Sequence, residues 1–220
     1  MLAVVATAFG VAASLGVGAA QINSGLHTVF GLPVGPTWQV GIIAVVTVLF
    51  VTSSVSGVAR GVKLLSVGNL IAAAALAGVV FVLGPTVHII DTFTNSLCGY
   101  ASEFVRMSLR LTPFRDSSWV GSWTIFYWAW WLAWSPFVGL FIARVSRGRT
   151  IREFVLGVVI APTLVAFLWF SIFGGAALSL EIFQGAPLAD VAAKDSSLAL
   201  FAMLQQLPLA TLTSIIGTLL

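Results

Sequence analysis

Ten aromatic side chains fall within 23 residues: Trp119, Trp123, Phe126, Tyr127, Trp128, Trp130, Trp131, Trp134, Phe137 and Phe141, six of them among the chain's eight tryptophans. On a helix, Trp123, Tyr127, Trp130, Trp134, Phe137 and Phe141 share a face at spacings of three and four, with Trp128, Trp131 and Ser135 as a neighbouring stripe. The face of an indole attracts cations, and closely set rings are a recurring solution for quaternary ammonium groups. Such a group has no N–H to donate, so its recognition needs no carboxylate. The pattern therefore suits a cage for a methylated ammonium. Two other readings stay open. An aromatic belt at the headgroups accounts for Trp119 and Trp123, but not for Trp130, Trp131 and Trp134 in mid-segment. A row of bulky core residues accounts for the spacing alone.

The elements that would position these rings are membrane helices. Hydrophobic residues make up 59% of the 220-residue chain and charged ones 8%, against about a quarter charged in a soluble domain. No Lys, Arg, Asp or Glu precedes Arg60. A water-soluble enzyme is excluded. Six apolar segments, near 1–20, 38–59, 64–90, 120–143, 154–178 and 198–220, have roughly the ~20 residues needed to cross hydrocarbon. They are too long for barrel strands, so the expected fold class is an all-α membrane protein with about six transmembrane helices. Residues 1–20 lack the basic start of a signal peptide and are read as one of these helices. Pro136 and Gly139 predict a bent or broken helix within 120–143, and discontinuous helices at mid-membrane commonly bind transported substrates. Gly10, Gly16 and Gly18 in the first segment, and Gly174-Gly175 in the fifth, are read as sites of close helix approach.

Loop charges give an orientation. Arg60 and Lys63 in one short connection, and Arg144, Arg147, Arg149 and Arg152 beside Glu153 in another, predict a cytoplasmic N-terminus. Arg115 and Asp116 then lie outside. Residues 93–112 place Phe93, Leu97, Phe104 and Leu111 near one helical face and Glu103, Arg106 and Arg110 on another, which suits an amphipathic helix along the outer interface. The polar connection 181–197 is read as a plain loop, and His88 with Asp91 as a local polar pair. Cys98 is the single cysteine and excludes an internal disulfide. His27 and His88 are too few and too far apart for a metal cluster. Basic residues are split among loops, with no stripe for nucleic acid. No serine stands in a nucleophile elbow, which argues against an intramembrane hydrolase. The sixth segment reaches Leu220 without a polar stop, so the chain is expected to be part of a longer one.

Residues 123–131 (Trp-Thr-Ile-Phe-Tyr-Trp-Ala-Trp-Trp) and 134–139 (Trp-Ser-Pro-Phe-Val-Gly) resemble the signature of the betaine/carnitine/choline transporter family. Residues 143–154, 56–61, 84–86 and 169–175 extend the resemblance, which covers all 220 residues and is greatest to the glycine betaine carriers. It implies an inverted-repeat, LeuT-like fold with two five-helix repeats. Residues 1–220 would be a partial transporter domain, from the third core helix to the start of the eighth, with 120–143 as the substrate-site helix. By motif position, Trp130, Trp131 and Trp134 resemble the residues that cage the trimethylammonium group, and Trp128 resembles a position in the extracellular pathway. Phe137 and Thr7 resemble parts of a sodium site. The second hydroxyl position of that site is Val11 here, and a hard cation wants oxygen, so the site is weakened or lost.

The function so implied is secondary active transport of a quaternary ammonium osmolyte, in the plasma membrane and in the service of osmoprotection. Glycine betaine is the expected substrate, with choline and carnitine open. Sodium is the expected coupling ion, by symport, and no other cofactor is implied. Resembling carriers form homotrimers in the lipid bilayer. The alternative is a non-transporting membrane fragment, or a module that binds or senses quaternary ammonium compounds.

Overall fold

The computed structural model describes residues 1–55, 58–110, 114 and 118–220, with the side chains of 53–54 and 58–62 also outside the description. Leu111, Arg115, Asp116 and the Ser56-Gly57 pair, all used in the sequence reading, lie outside the described residues. The chain forms α1 (Leu2–Phe30), α2 (Pro36–Val55), α3 (Val58–Leu83) and α4 (Thr86–Ser108). A π-helical stretch, Val120–Ile125, runs into α5 (Phe126–Val145), followed by α6 (Ile151–Gln184), α7 (Leu188–Lys194) and a 3-10 turn at Ser196–Leu198. Helices α8 (Ala199–Gln205) and α9 (Ala210–Leu219) close the order. No strand occurs among the described residues. Four helices there are long and apolar enough to cross a membrane: Leu2–Phe30, Lys63–Leu83, Val120–Val145 and Ile151–Gln184. The apolar helix described over Pro36–Thr52 is shorter.

Proline explains where the sequence segments and the helices part company. The segment expected at 64–90 ends as a helix at Leu83 and restarts at Thr86, because Pro85 has no N–H and disfavours helical geometry at Gly84. The missing donor would have served the Phe81 carbonyl. Thr86 Oγ1 donates to it instead, at 2.7 Å. The segment expected at 198–220 divides between α8 and α9 at Pro208, where Leu209 takes a left-handed φ of 65°. Such a turn costs a non-glycine residue about 1–2 kcal/mol. Pro136 behaves in the opposite way. Helix α5 continues through it, since Ser135 Oγ donates to the Leu132 carbonyl that Pro136 leaves without a partner, at 2.9 Å. The expected break is absent.

The chain divides into two compact units, Met1–Leu15 with Leu97–Val165, and Gly16–Ser96 with Ala166–Leu220. The second holds a hydrophobic core that includes Leu76 and Val80 of α3, Ile89 of α4, Ile172, Ala176 and Leu180 of α6, and Leu204 of α8. Helix α6 crosses α4 at Gly175, where a Cβ would stand 3.0 Å from Thr92 Oγ1 and 3.3 Å from the Ile89 Cα. His88 belongs to this crossing. Its Nδ1 pairs with Ser179 Oγ at 3.1 Å and its ring stacks on Phe183 at 4.6 Å, so its observed partners are on α6 and not Asp91. The connection 181–197 is structured and not a plain loop. Glu181 Oε2 accepts from the amides of Leu188 and Ala189 and so caps α7, while Asp195 Oδ1 accepts from the amide and hydroxyl of Ser197. With the Ser197 proton committed to Asp195, the Ser24 hydroxyl of α1 donates to Ser197 Oγ at 2.6 Å.

Candidate functional site: an aromatic face anchored on α1

The sequence places Gly10 and Ser14 four residues apart on α1, and small residues at that spacing let two membrane helices approach. In the first unit α5 uses this opening. A Cβ at Gly10 would stand 3.2 Å from Cδ1 and Nε1 of Trp134 and 3.3 Å from Ala133 Cβ, tighter than ordinary contact. Trp130 Nε1 donates to Ser14 Oγ at 3.1 Å and Trp134 Nε1 donates to the same oxygen at 3.3 Å. Ser14 gives its own proton to the Gly10 carbonyl at 3.0 Å. One hydroxyl thus uses both lone pairs on two indoles and its hydrogen on the backbone, and it is satisfied in full. The N–H edges of both rings are thereby fixed on α1, which sets the direction of their polarisable faces.

Around this anchor the rings form a ladder along α5. Trp123 stacks on Tyr127 at 5.9 Å, Tyr127 meets Trp130 at 5.7 Å, and Trp134 meets Phe137 edge-on at 5.8 Å. Trp131 lies off the anchored pair, edge-on to Trp128 at 5.8 Å and to Tyr127 at 6.4 Å. The structure therefore gathers Trp130 with Trp134 on one hydroxyl, and Trp128 with Trp131 as a second pair. Trp128 and Trp131 are 58% and 60% exposed.

Thr7 Oγ1 donates within its own helix, to the Ala3 carbonyl at 2.8 Å, and Phe137 is half exposed. Thr7 supplies one oxygen, Val11 supplies none, and Phe137 offers a ring face. These three do not make a sodium site by themselves, since a hard cation takes several oxygen ligands. The sequence reading missed Ser14. Its signal was its register: Thr7, Gly10, Val11 and Ser14 follow one another at helical spacing on one face of α1.

Long apolar helices, with no strand among the described residues, define the class first: a helical, multi-pass membrane protein. The sequence model of the betaine/carnitine/choline transporter (BCCT) family matches residues 1–220, and the chain belongs to that family. It is 50% identical to the glycine betaine transporter OpuD of Bacillus subtilis over 100% of this chain and 43% of that protein. It is 47% identical to an ectoine/hydroxyectoine transporter of Virgibacillus pantothenticus, over 98% of this chain and 43% of the relative. A glycine betaine/proline/choline transporter of Vibrio parahaemolyticus is 46% identical over 100% of this chain and 39% of its own length. The chain spans about two-fifths of the length of these curated relatives.

Proposed function

We propose that the chain supplies the aromatic part of the substrate site in a secondary transporter for a quaternary ammonium osmolyte, with glycine betaine as the substrate. The observation that carries this reading is the Ser14 hydroxyl holding Trp130 and Trp134 by their N–H edges. Rings held in this way present π faces, and a trimethylammonium group binds to faces without any hydrogen bond to its nitrogen. Trp131 adds a third ring and Trp128 a position on the way to it. Two relatives named for glycine betaine, one of them also for proline and choline, support this class of cargo, while the ectoine/hydroxyectoine carrier supports only a small osmolyte.

Transport proceeds by alternating access in the plasma membrane, with an inverted-repeat fold and a cytoplasmic N-terminus. The arginines between α5 and α6 support that orientation. Sodium is the proposed co-substrate. Thr7 and Phe137 belong to its path, and Val11 leaves that path one oxygen short. The test is uptake of labelled glycine betaine by cells that lack other betaine carriers, with sodium present or replaced by choline-free potassium buffer. Trp131→Ala abolishes uptake while the protein still reaches the membrane. Unchanged uptake in that variant removes the assigned site, and uptake indifferent to sodium removes the coupling.

A further inference from the structure

Among the described residues two prolines stand inside long apolar helices, Pro136 in α5 and Pro162 in α6. A proline has no N–H for the carbonyl four residues before it, and hydrocarbon offers no water in its place. At Pro162 the neighbouring hydroxyl goes elsewhere: Thr163 Oγ1 donates to the Val159 carbonyl at 2.6 Å, and not to Val158, four residues before the proline. At Pro136 the hydroxyl goes to the carbonyl at risk, since Ser135 Oγ donates to Leu132 at 2.9 Å. The donor here also precedes the proline and lies inside the helix. At Pro85 it comes from Thr86, after α3 has ended at Leu83. The place of the joint matters. Before it stands Trp134, whose indole is fixed on Ser14 of α1, and after it stands Phe137, which Trp134 meets edge-on at 5.8 Å. The joint thus divides α5 into a half that carries the tryptophans and a half that runs on through Phe137 to Val145.

We propose that Ser135 is a positioning residue for transport. Its hydroxyl takes the place of the amide that Pro136 lacks and joins the two halves of α5 into one stiff lever. The rings that hold the substrate and the far end of the helix then move together in the transport step. This role rests on the proposed transport function. The rings keep their anchor on Ser14 whether or not the joint is stiff. Loss of the hydroxyl leaves a carbonyl in the span without its donor, and a helix relieves that at a proline by bending. Binding survives such a bend, while the coupling of binding to movement does not.

The test measures glycine betaine binding to the purified full-length transporter and maximal uptake per molecule at the cell surface. S135A binds within about twofold of wild type and turns over about tenfold more slowly, the effect of one lost hydrogen bond in the moving state. P136A puts an N–H back at the joint and keeps wild-type turnover. S135A/P136A matches P136A, because the restored amide serves Leu132 and the hydroxyl is no longer needed. S135A that transports as fast as wild type overturns the proposal, and so does S135A that loses affinity and turnover alike. A slow P136A, or S135A/P136A as slow as S135A, also overturns it. Where S135A does not accumulate, S135C is read against S135T in its place. The thiol is a weak donor and turnover falls severalfold, while threonine keeps the oxygen and the wild-type rate; equal rates in these two overturn the role. A wild-type protein that takes up no betaine removes the transport function and the role of Ser135 with it, whereas wild-type uptake with any of the overturning outcomes removes the role alone.

Discussion

In the unit formed by Gly16–Ser96 and Ala166–Leu220, Leu76, Val80, Phe201 and Leu204 are each at most 1% exposed, and buried Asn23, Ser24 and Thr213 find partners close by. In the unit formed by Met1–Leu15 and Leu97–Val165, Gly10 is the one buried residue among those described, and α5 buries no side chain at all. Yet the second of these carries six of the eight indoles, and the first only Trp38 and Trp169. Among the polar contacts of the ring-bearing unit, Ser14 holds two rings by their edges. Packing and the proposed recognition thus fall to different stretches of one sequence. A helix can be poorly buried and still be well specified when one satisfied hydroxyl sets the angle of its largest side chains.

A crossed pair of truncations would break this contrast if it is wrong. Phe201 is wedged between α1 and α9: a Cβ at Gly25 would stand 2.8 Å from its Cζ, and one at Gly217 would stand 3.6 Å from its Cε1. Phe201→Ala opens a cavity at that wedge and costs about 3–5 kcal/mol, read as a lower melting temperature of the purified protein. Its effect on betaine affinity, measured on whatever remains folded, is small. Trp131→Ala does the reverse. The ring is 60% exposed, so melting changes little. Betaine binding falls by about thirtyfold, which is the loss of roughly 2 kcal/mol for a desolvated cation–π contact. If both variants lose stability and binding together, the two units are not separable in the way the burial suggests.

The rings themselves were legible, because spacing on a helix needs only local sequence. So were the long apolar helices and the family. What was not legible depended on partners far away in the chain. Ser14 and Trp130 are 116 residues apart, and a lone serine in an apolar helix reads as packing. His88 finds Ser179 across 91 residues, where the sequence offered Asp91 three residues away. Proline misled in both directions. Hydropathy ran straight through Pro85 and Pro208, where the helices stop, while Pro136 suggested a break that Ser135 repairs with a single hydroxyl. At Pro85 and at Pro136 alike a neighbouring hydroxyl serves the carbonyl four residues before the proline, yet the helix stops at the first and continues through the second, so the proline alone does not tell which will happen.

Ser14→Ala sharpens the comparison at a smaller scale. It leaves two half-buried indole N–H groups without their acceptor, and a lost hydrogen bond of this kind costs about 1 kcal/mol. The rings respond by turning, so betaine affinity falls about tenfold while the core of the other unit, and hence the main melting transition, is unaffected. Ser14→Thr keeps the oxygen and restores most of the affinity. A Ser14→Ala variant with wild-type affinity would mean that the hydroxyl orients nothing.

The smallest effect concerns the sodium path proposed for the same face of α1. Thr7 gives its proton to Ala3, which leaves its oxygen lone pairs facing outward from that bond, and Val11, one turn on, presents only methyl groups. Val11→Thr is nearly isosteric and Val11 is partly exposed, so the substitution adds an oxygen without crowding a core. Two hydroxyls four residues apart make a better ligand set for a hard cation than one. In an uptake assay with sodium varied at fixed betaine, the sodium concentration for half-maximal rate should fall by about twofold to fivefold, with the betaine affinity at saturating sodium unchanged. A rate curve identical to wild type would show that sodium does not pass this face of α1, and the coupling would then have to rest on oxygens from elsewhere in the transporter.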